Sequence, residues 1–149
     1  MLKNFENHEF LNGQNFSKIA DVIFAINVPN KNLSEFNIDD YKIISKNSEF
    51  TGLKLKNLEI KNGDIIFCNS SYLSLLFKYL ERLNKITSIT LITSQSDFSV
   101  TKKVFINKPE SVTKWFAVNV AYKDSCLIPI PLGIANNYSA KNIRINDLV

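Results

Sequence analysis

Hydroxyls, amides and one carboxylate gather in three short stretches of this chain: Asn69-Ser70-Ser71, Ser94-Gln95-Ser96-Asp97, and Gly133 to Asn137. Groups of this kind recognise sugar hydroxyls or a phosphate through directional hydrogen bonds. Each also has a plainer reading. Asn69 or Ser70 stands where a helix needs its N-cap, Asp97 can cap a following turn, and Asn119 ends a helix as readily as it binds a ligand. Ser70 and Ser71 gain from a helix N-terminus, whose free N–H groups and dipole attract anions. Asp97 is the candidate general base, and no second acid is placed near it for paired-carboxylate hydrolysis. Other chemistries lack their residues. His8 is the only histidine, which removes a His-based zinc site and a Ser-His-Asp triad. Four glycines leave no GxGxxG or Walker loop. No metal ligand set is expected.

The elements that position these stretches centre on residues 63–101. Asp64 to Cys68 and Ile89 to Thr93 are short apolar runs that read as buried strands. Between them Tyr72, Leu73, Leu76, Leu80 and Leu83 recur at helical spacing, with Lys78, Glu81, Arg82 and Lys85 on the remaining surface. Strand, helix and strand in this order predict a βαβ unit with parallel strands. Ligands of such sheets lie beyond the carboxyl ends of the strands, so the three polar stretches are expected to share one crevice. Asp64 falls at the opposite edge.

Ahead of this unit, residues 1–18 predict an irregular or hairpin lead-in. Ala20 to Val28 reads as a strand closed by Pro29, Tyr41 to Ser45 as a weaker strand, and 49–61 as a half-buried strand or hairpin near a sheet edge. After it, Lys102 to Asn107 is a short apolar step. Pro109 suits the first turn of a helix carrying Val112, Trp115 and Phe116 on one side. Leu127-Ile128-Pro129-Ile130-Pro131-Leu132 is extended, because each proline biases the residue before it away from helix, and its prolines place it at a sheet edge or a domain boundary.

The chain of 149 residues has the length of one domain and buries roughly 70% of its unfolded surface. Its formal charge of +4 comes from scattered lysines and forms no aromatic-interleaved stripe, so nucleic acid is not an expected partner. Cys68 and Cys126 read as buried thiols rather than a disulfide or metal pair. No signal peptide or membrane-length apolar run is visible, which predicts a cytoplasmic protein with no membrane span.

The blocks ITLITSQSDFSVT, KWFAVNV and LIPIPLGIAN, in this order and spacing, resemble a group of bacterial and giant-virus glycosyltransferase-like proteins of exostosin-like kind, across roughly residues 64–137. The matching positions are Ser96 and Asp97; Lys114, Trp115, Phe116, Ala117 and Asn119; and Pro129, Pro131, Gly133, Ala135 and Asn136. Two positions depart from the family pattern: Ser94-Gln95 stand where it has His-Asn, and Val118 where it has Gln. The base would therefore be Asp97 alone. The resemblance implies a three-layer, Rossmann-like α/β domain with a mostly parallel sheet over 1–137, one lobe of a GT-B architecture. Residues 138–149 would then be a tail or the start of a linker to a second lobe. Its implied function is the acceptor-side lobe of a glycosyltransferase in surface polysaccharide or glycan synthesis, incomplete as a catalyst alone. The substrate-binding candidates are Asn69, Ser70, Ser71, Ser94, Gln95, Ser96, Asn119, Gly133 and Asn136. The implied partners are a second lobe in cis or trans, a sugar or glycan acceptor, and a nucleotide sugar donor held by the complete enzyme, with no cofactor on this chain itself. The alternative is a non-catalytic sugar-binding or protein-interaction module derived from such an enzyme, which would bury the apolar patch near the proline-spaced strand or use it for a homodimer.

Overall fold

The computed structural model describes residues 13–132. Seven strands form one mixed sheet: β1 (Val22–Pro29), β2 (Tyr41–Lys46), β3 (Phe50–Leu55), β4 (Ile65–Asn69), β5 (Ile89–Ser94), β6 (Val112–Ala117) and β7 (Leu127–Pro129), in the order β2-β3-β1-β4-β5-β6-β7. Strands β1, β4, β5, β6 and β7 run parallel, while β3 pairs antiparallel with both β1 and β2. Among the described residues three α-helices accompany them: α1 (Gly13–Ile19), α2 (Leu73–Leu80) and α3 (Lys102–Phe105). The class is α/β, as the sequence predicts.

Each face of the sheet carries its own core. On one face α2 and α3 bring Leu76, Phe77, Leu80 and Phe105 onto Phe24, Ile66, Cys68, Leu91 and Trp115. On the other, Phe16 of α1 packs with Ile26, Val28, Leu53, Phe67 and Ile92. A register shift in β1 between Ile23 and Ala25 puts Phe24 and Ala25 in the same cluster, so period-2 alternation breaks there. Trp115 is fully buried, its Nε1 donates to Thr93 Oγ1 at 2.8 Å, and it meets Phe77 edge-on at 5.7 Å and Phe105 stacked at 6.3 Å.

Several expectations hold. β4, α2 and β5 make the parallel βαβ unit, with Asn69 capping the turn ahead of α2 by accepting from Ser71 N at 2.9 Å. The hairpin of β2 and β3 closes one edge of the sheet, and the proline-spaced β7 closes the other among the described residues. Four expectations are corrected. Residues 112–117 are a strand, not the helix predicted after Pro109. Pro109 instead accepts from Val112 N in a tight turn, and the β-branched and aromatic residues that follow pair with β5 and β7. The step at 102–107 contains helix α3, capped by Thr101 Oγ1 on Val104 N. Of the lead-in expected over 1–18 to be irregular or a hairpin, residues 1–12 lie outside the described residues, and helix α1 begins at Gly13. Strand β3 also stops at Leu55, short of the alternation that continues to residue 61. No helix among the described residues is long and apolar enough to cross a membrane.

Candidate functional site

The parallel strands β4, β5 and β6 deliver their last residues to the same edge, and two of the three predicted polar stretches meet there. Asn69 Nδ2 donates to Gln95 O at 3.2 Å, and Ser70 Oγ donates to Ser94 O at 3.3 Å. The loop after β6 joins them: Asn119 Nδ2 donates to Ser96 O at 3.3 Å, and Val100 N donates to Asn119 O at 3.0 Å. Gly133 and Asn136 lie outside the described residues, as does the boundary expected at 137–138.

Burial divides the candidates. Asn69, Ser70 and Ser94 are buried and hold the loops to the sheet, so their first role is structural. Ser94 Oγ finds no hydrogen-bond partner among the described residues. Ser71, Asp97 and Asn119 are exposed, and Gln95 and Ser96 are half-buried. These five are the groups that solvent-borne hydroxyls can reach. Ser96 Oγ also accepts from Phe98 N at 3.3 Å, which shapes the turn that presents Asp97.

Backbone strain is concentrated at this edge. Gln95 has φ of 68° and Asn119 φ of 54°, the left-handed region that L residues adopt at a cost of roughly 1–2 kcal/mol, less for Asn. One follows β5 and the other follows β6, at matched heights on neighbouring strands. Asn119 was readable as a terminator; it terminates a strand, by turning the chain left-handed.

Beside β7 the molecule opens into a concavity of about 950 Å³ lined by residues that include Val120, Tyr122, Asp124, Leu127 and Pro129. Sequence reasoning passed over Asp124, for its only signal is an Asp two residues before a Cys in a connecting loop. Its carboxylate accepts from Cys126 N at 2.9 Å, and that backbone hydrogen bond holds it below the usual carboxylate range. Cys126 is pushed upward, first by burial and then by its hydrogen bond with Asp124, so it stays a thiol at neutral pH and is a poor nucleophile. Cys68 is fully buried and raised further by desolvation. Both cysteines are free. Among the described residues no group of three or more His, Cys, Asp and Glu side chains gathers to hold a metal ion.

Comparison with protein-family models, with curated proteins and with solved structures finds no match to this chain.

Proposed function

We propose that this domain is the acceptor-side lobe of a glycosyltransferase, one Rossmann-like half of a GT-B architecture, with a sugar or glycan acceptor lying across the carboxyl edge of β4, β5 and β6. The observation that carries the reading is the knot of loops at that edge: Asn69, Ser70 and Asn119 tie the segments together, and Gln95 and Asn119 are both held left-handed there. Strain held in place by surrounding structure is a mark of ligand sites. The groups left facing solvent are hydroxyls, amides and one carboxylate, which suit a polyhydroxylated ligand. Asp97 would take the proton of an acceptor hydroxyl, whose oxygen attacks the anomeric carbon of a nucleotide sugar while the nucleotide leaves with the bonding electron pair. A second lobe, in the same protein or another chain, would hold that donor. The concavity beside β7 and the exposed Leu132, 64% accessible, offer it an apolar surface. The order and spacing of the three resembling blocks support the same assignment.

One observation favours the non-catalytic alternative. Asp97 is exposed and no described residue hydrogen-bonds its carboxylate, so nothing fixes it toward an acceptor. The test is a titration of isotopically labelled protein with a panel of methyl glycosides. Shifts confined to residues 69–71, 94–97 and 119 are expected, and their absence across the panel sinks both readings. In a two-lobed assembly, Asp97→Asn should abolish transfer and leave melting unchanged; retained transfer reduces the site to a binding module.

A further inference from the structure

A second site of different character lies on the α2 face of the hairpin, away from the polar loops. Lys42 and Lys54 stand directly opposite each other on β2 and β3, sharing that face. α2 covers them with Lys78 and with Arg82, two residues past its end, while Leu75 and Tyr79 lie on the same stripe one turn apart. Strand alternation puts Ile44 on this face with Lys42, and a register shift between Ile43 and Ser45 brings Ser45 to it as well. Together these seven residues line a groove of about 320 Å³: four cations above a floor of Ile44, Leu75 and Tyr79.

Nothing in the groove balances its charge. No acidic side chain lines it, and none of the four cations forms an ion pair with a described residue. Lys54 Nζ makes do with Leu55 O at 3.3 Å and with the ring faces of Phe24 at 5.0 Å and Tyr79 at 5.5 Å. Burial, and then the neighbouring Lys42, hold its ammonium below the ordinary lysine range. Like charges directly opposite on a sheet are destabilising, and a cation part-removed from water gains most from an anion brought to it. Beyond Lys42 and Lys54 the wall is fixed: Tyr72 Oη donates to Asn27 Oδ1 and accepts from Ser45 Oγ, each at 2.5 Å. Gly52 is needed beneath, because a Cβ there would collide with the Tyr72 hydroxyl and Ser45 Oγ.

We propose that this groove binds a small amphipathic anion: a phosphate-class head held by Lys42, Lys54, Lys78 and Arg82, on an apolar or aromatic body seated over Ile44, Leu75 and Tyr79. A bare phosphate would leave the floor unused, and an apolar ligand would leave the cations unpaired. The volume lies at the small end of the range for small-molecule sites. Such a head can belong to a soluble metabolite or to a membrane lipid.

The experiment follows backbone amide shifts of the whole chain during titration with inorganic phosphate and with phenyl phosphate, and measures capture by phosphatidylglycerol vesicles. Phenyl phosphate is expected to move the amides of residues 42–44, 54, 75, 78, 79 and 82. It should bind about tenfold tighter than phosphate, the gain from burying about 60 Å² of apolar surface. The double variant Lys42→Gln/Lys54→Gln should lose at least about tenfold in affinity while its melting temperature holds or rises, since it relieves repulsion; a merely structural pair would lower it. Lys78→Gln/Arg82→Gln, on the exposed helix surface, repeats the binding test independently of the sheet. Lys102→Gln/Lys103→Gln, on α3, should bind as the parent does. Vesicle capture that the groove variants abolish assigns the head to a lipid, and phenyl phosphate binding without capture assigns it to a soluble anion. The proposal is overturned by the absence of groove shifts with phenyl phosphate together with no vesicle capture, by equal affinity for phosphate and phenyl phosphate, by groove variants that bind undiminished, or by an equal loss in the α3 variant.

Discussion

The carboxyl edge of β4–β6 and the groove under α2 are built by opposite means. The edge is held by buried neutral hydrogen bonds over an apolar floor, and its cost lies in backbone torsion at Gln95 and Asn119. The groove rests on a hairpin with a register shift at Ile43–Ser45 and on a regular helix, and its cost lies in unbalanced charge at Lys42 and Lys54. On the proposals above, one small sheet prepares two sites of different character. Torsional strain selects ligands by shape and hydrogen-bond direction, whereas unpaired cations select by charge and weaken as salt rises.

The largest expected effect comes from the floor beneath the edge. Trp115→Ala should cost about 3–5 kcal/mol in denaturant unfolding, because it empties the space between Phe77 and Phe105 and strands the Thr93 hydroxyl. Phenyl phosphate binding in the folded fraction should survive it, and a parallel loss would show that the two regions are one.

A smaller effect joins the regions deliberately. Gly52→Ala should cost about 1–3 kcal/mol, since the added methyl drives the Tyr72 hydroxyl from Asn27 and Ser45. Its amide shifts should spread over the hairpin and the start of α2 and stop short of Ser96 and Asn119. Unchanged unfolding would mean that Tyr72 does not brace the groove.

The smallest effect concerns pH and differs in sign between the two regions. The Cys68 thiol is raised on folding, so the native state keeps a proton that the unfolded state loses. Stability is therefore full below the unfolded value of 9.0 and falls as pH rises above it, by at most about 1.4 kcal/mol per pH unit. Lys54 is lowered on folding, so its contribution runs the other way and improves as pH rises toward 10.5. Equilibrium unfolding between pH 8 and 11 (about one unit either side of these values) should show the falling limb shrink in Cys68→Ala, the remainder belonging to Cys126, whose thiol is also raised; a limb left unchanged would refute burial of Cys68 as its cause.

Much of the fold was legible because local pattern and tertiary role agreed. The runs at 65–69 and 89–94 are continuous and β-branched, as strands buried on both faces must be, and the stripe from Leu73 to Leu80 has a helix's period. The edge position of β7 followed from prolines that cannot donate to a ladder. The strand at 112–117 was misread because Val112, Trp115 and Phe116 also fit a helical stripe and Pro109 also fits a helix start. Only pairing with β5 on one side and β7 on the other decides between them. Of the candidate site, the stretches at 69–71 and 94–97 were found through their place after parallel strands. Their division into buried braces and exposed ligand groups was not, since Asn69 and Ser71 differ in burial and not in kind.

By itself the sequence determined the α/β class, the parallel βαβ unit, a cap at Asn69 or Ser70, and the edge at which polar loops gather, because periodicity, proline chemistry and capping act over a few residues. The tertiary structure alone decided which residues become neighbours across the sheet. Lys42 and Lys54 lie twelve positions apart, with Lys78 and Arg82 far beyond them, and nothing local in the chain marks the four as a set. Strand register and the docking of α2 bring them onto one groove, for charge acts through space and not along the chain.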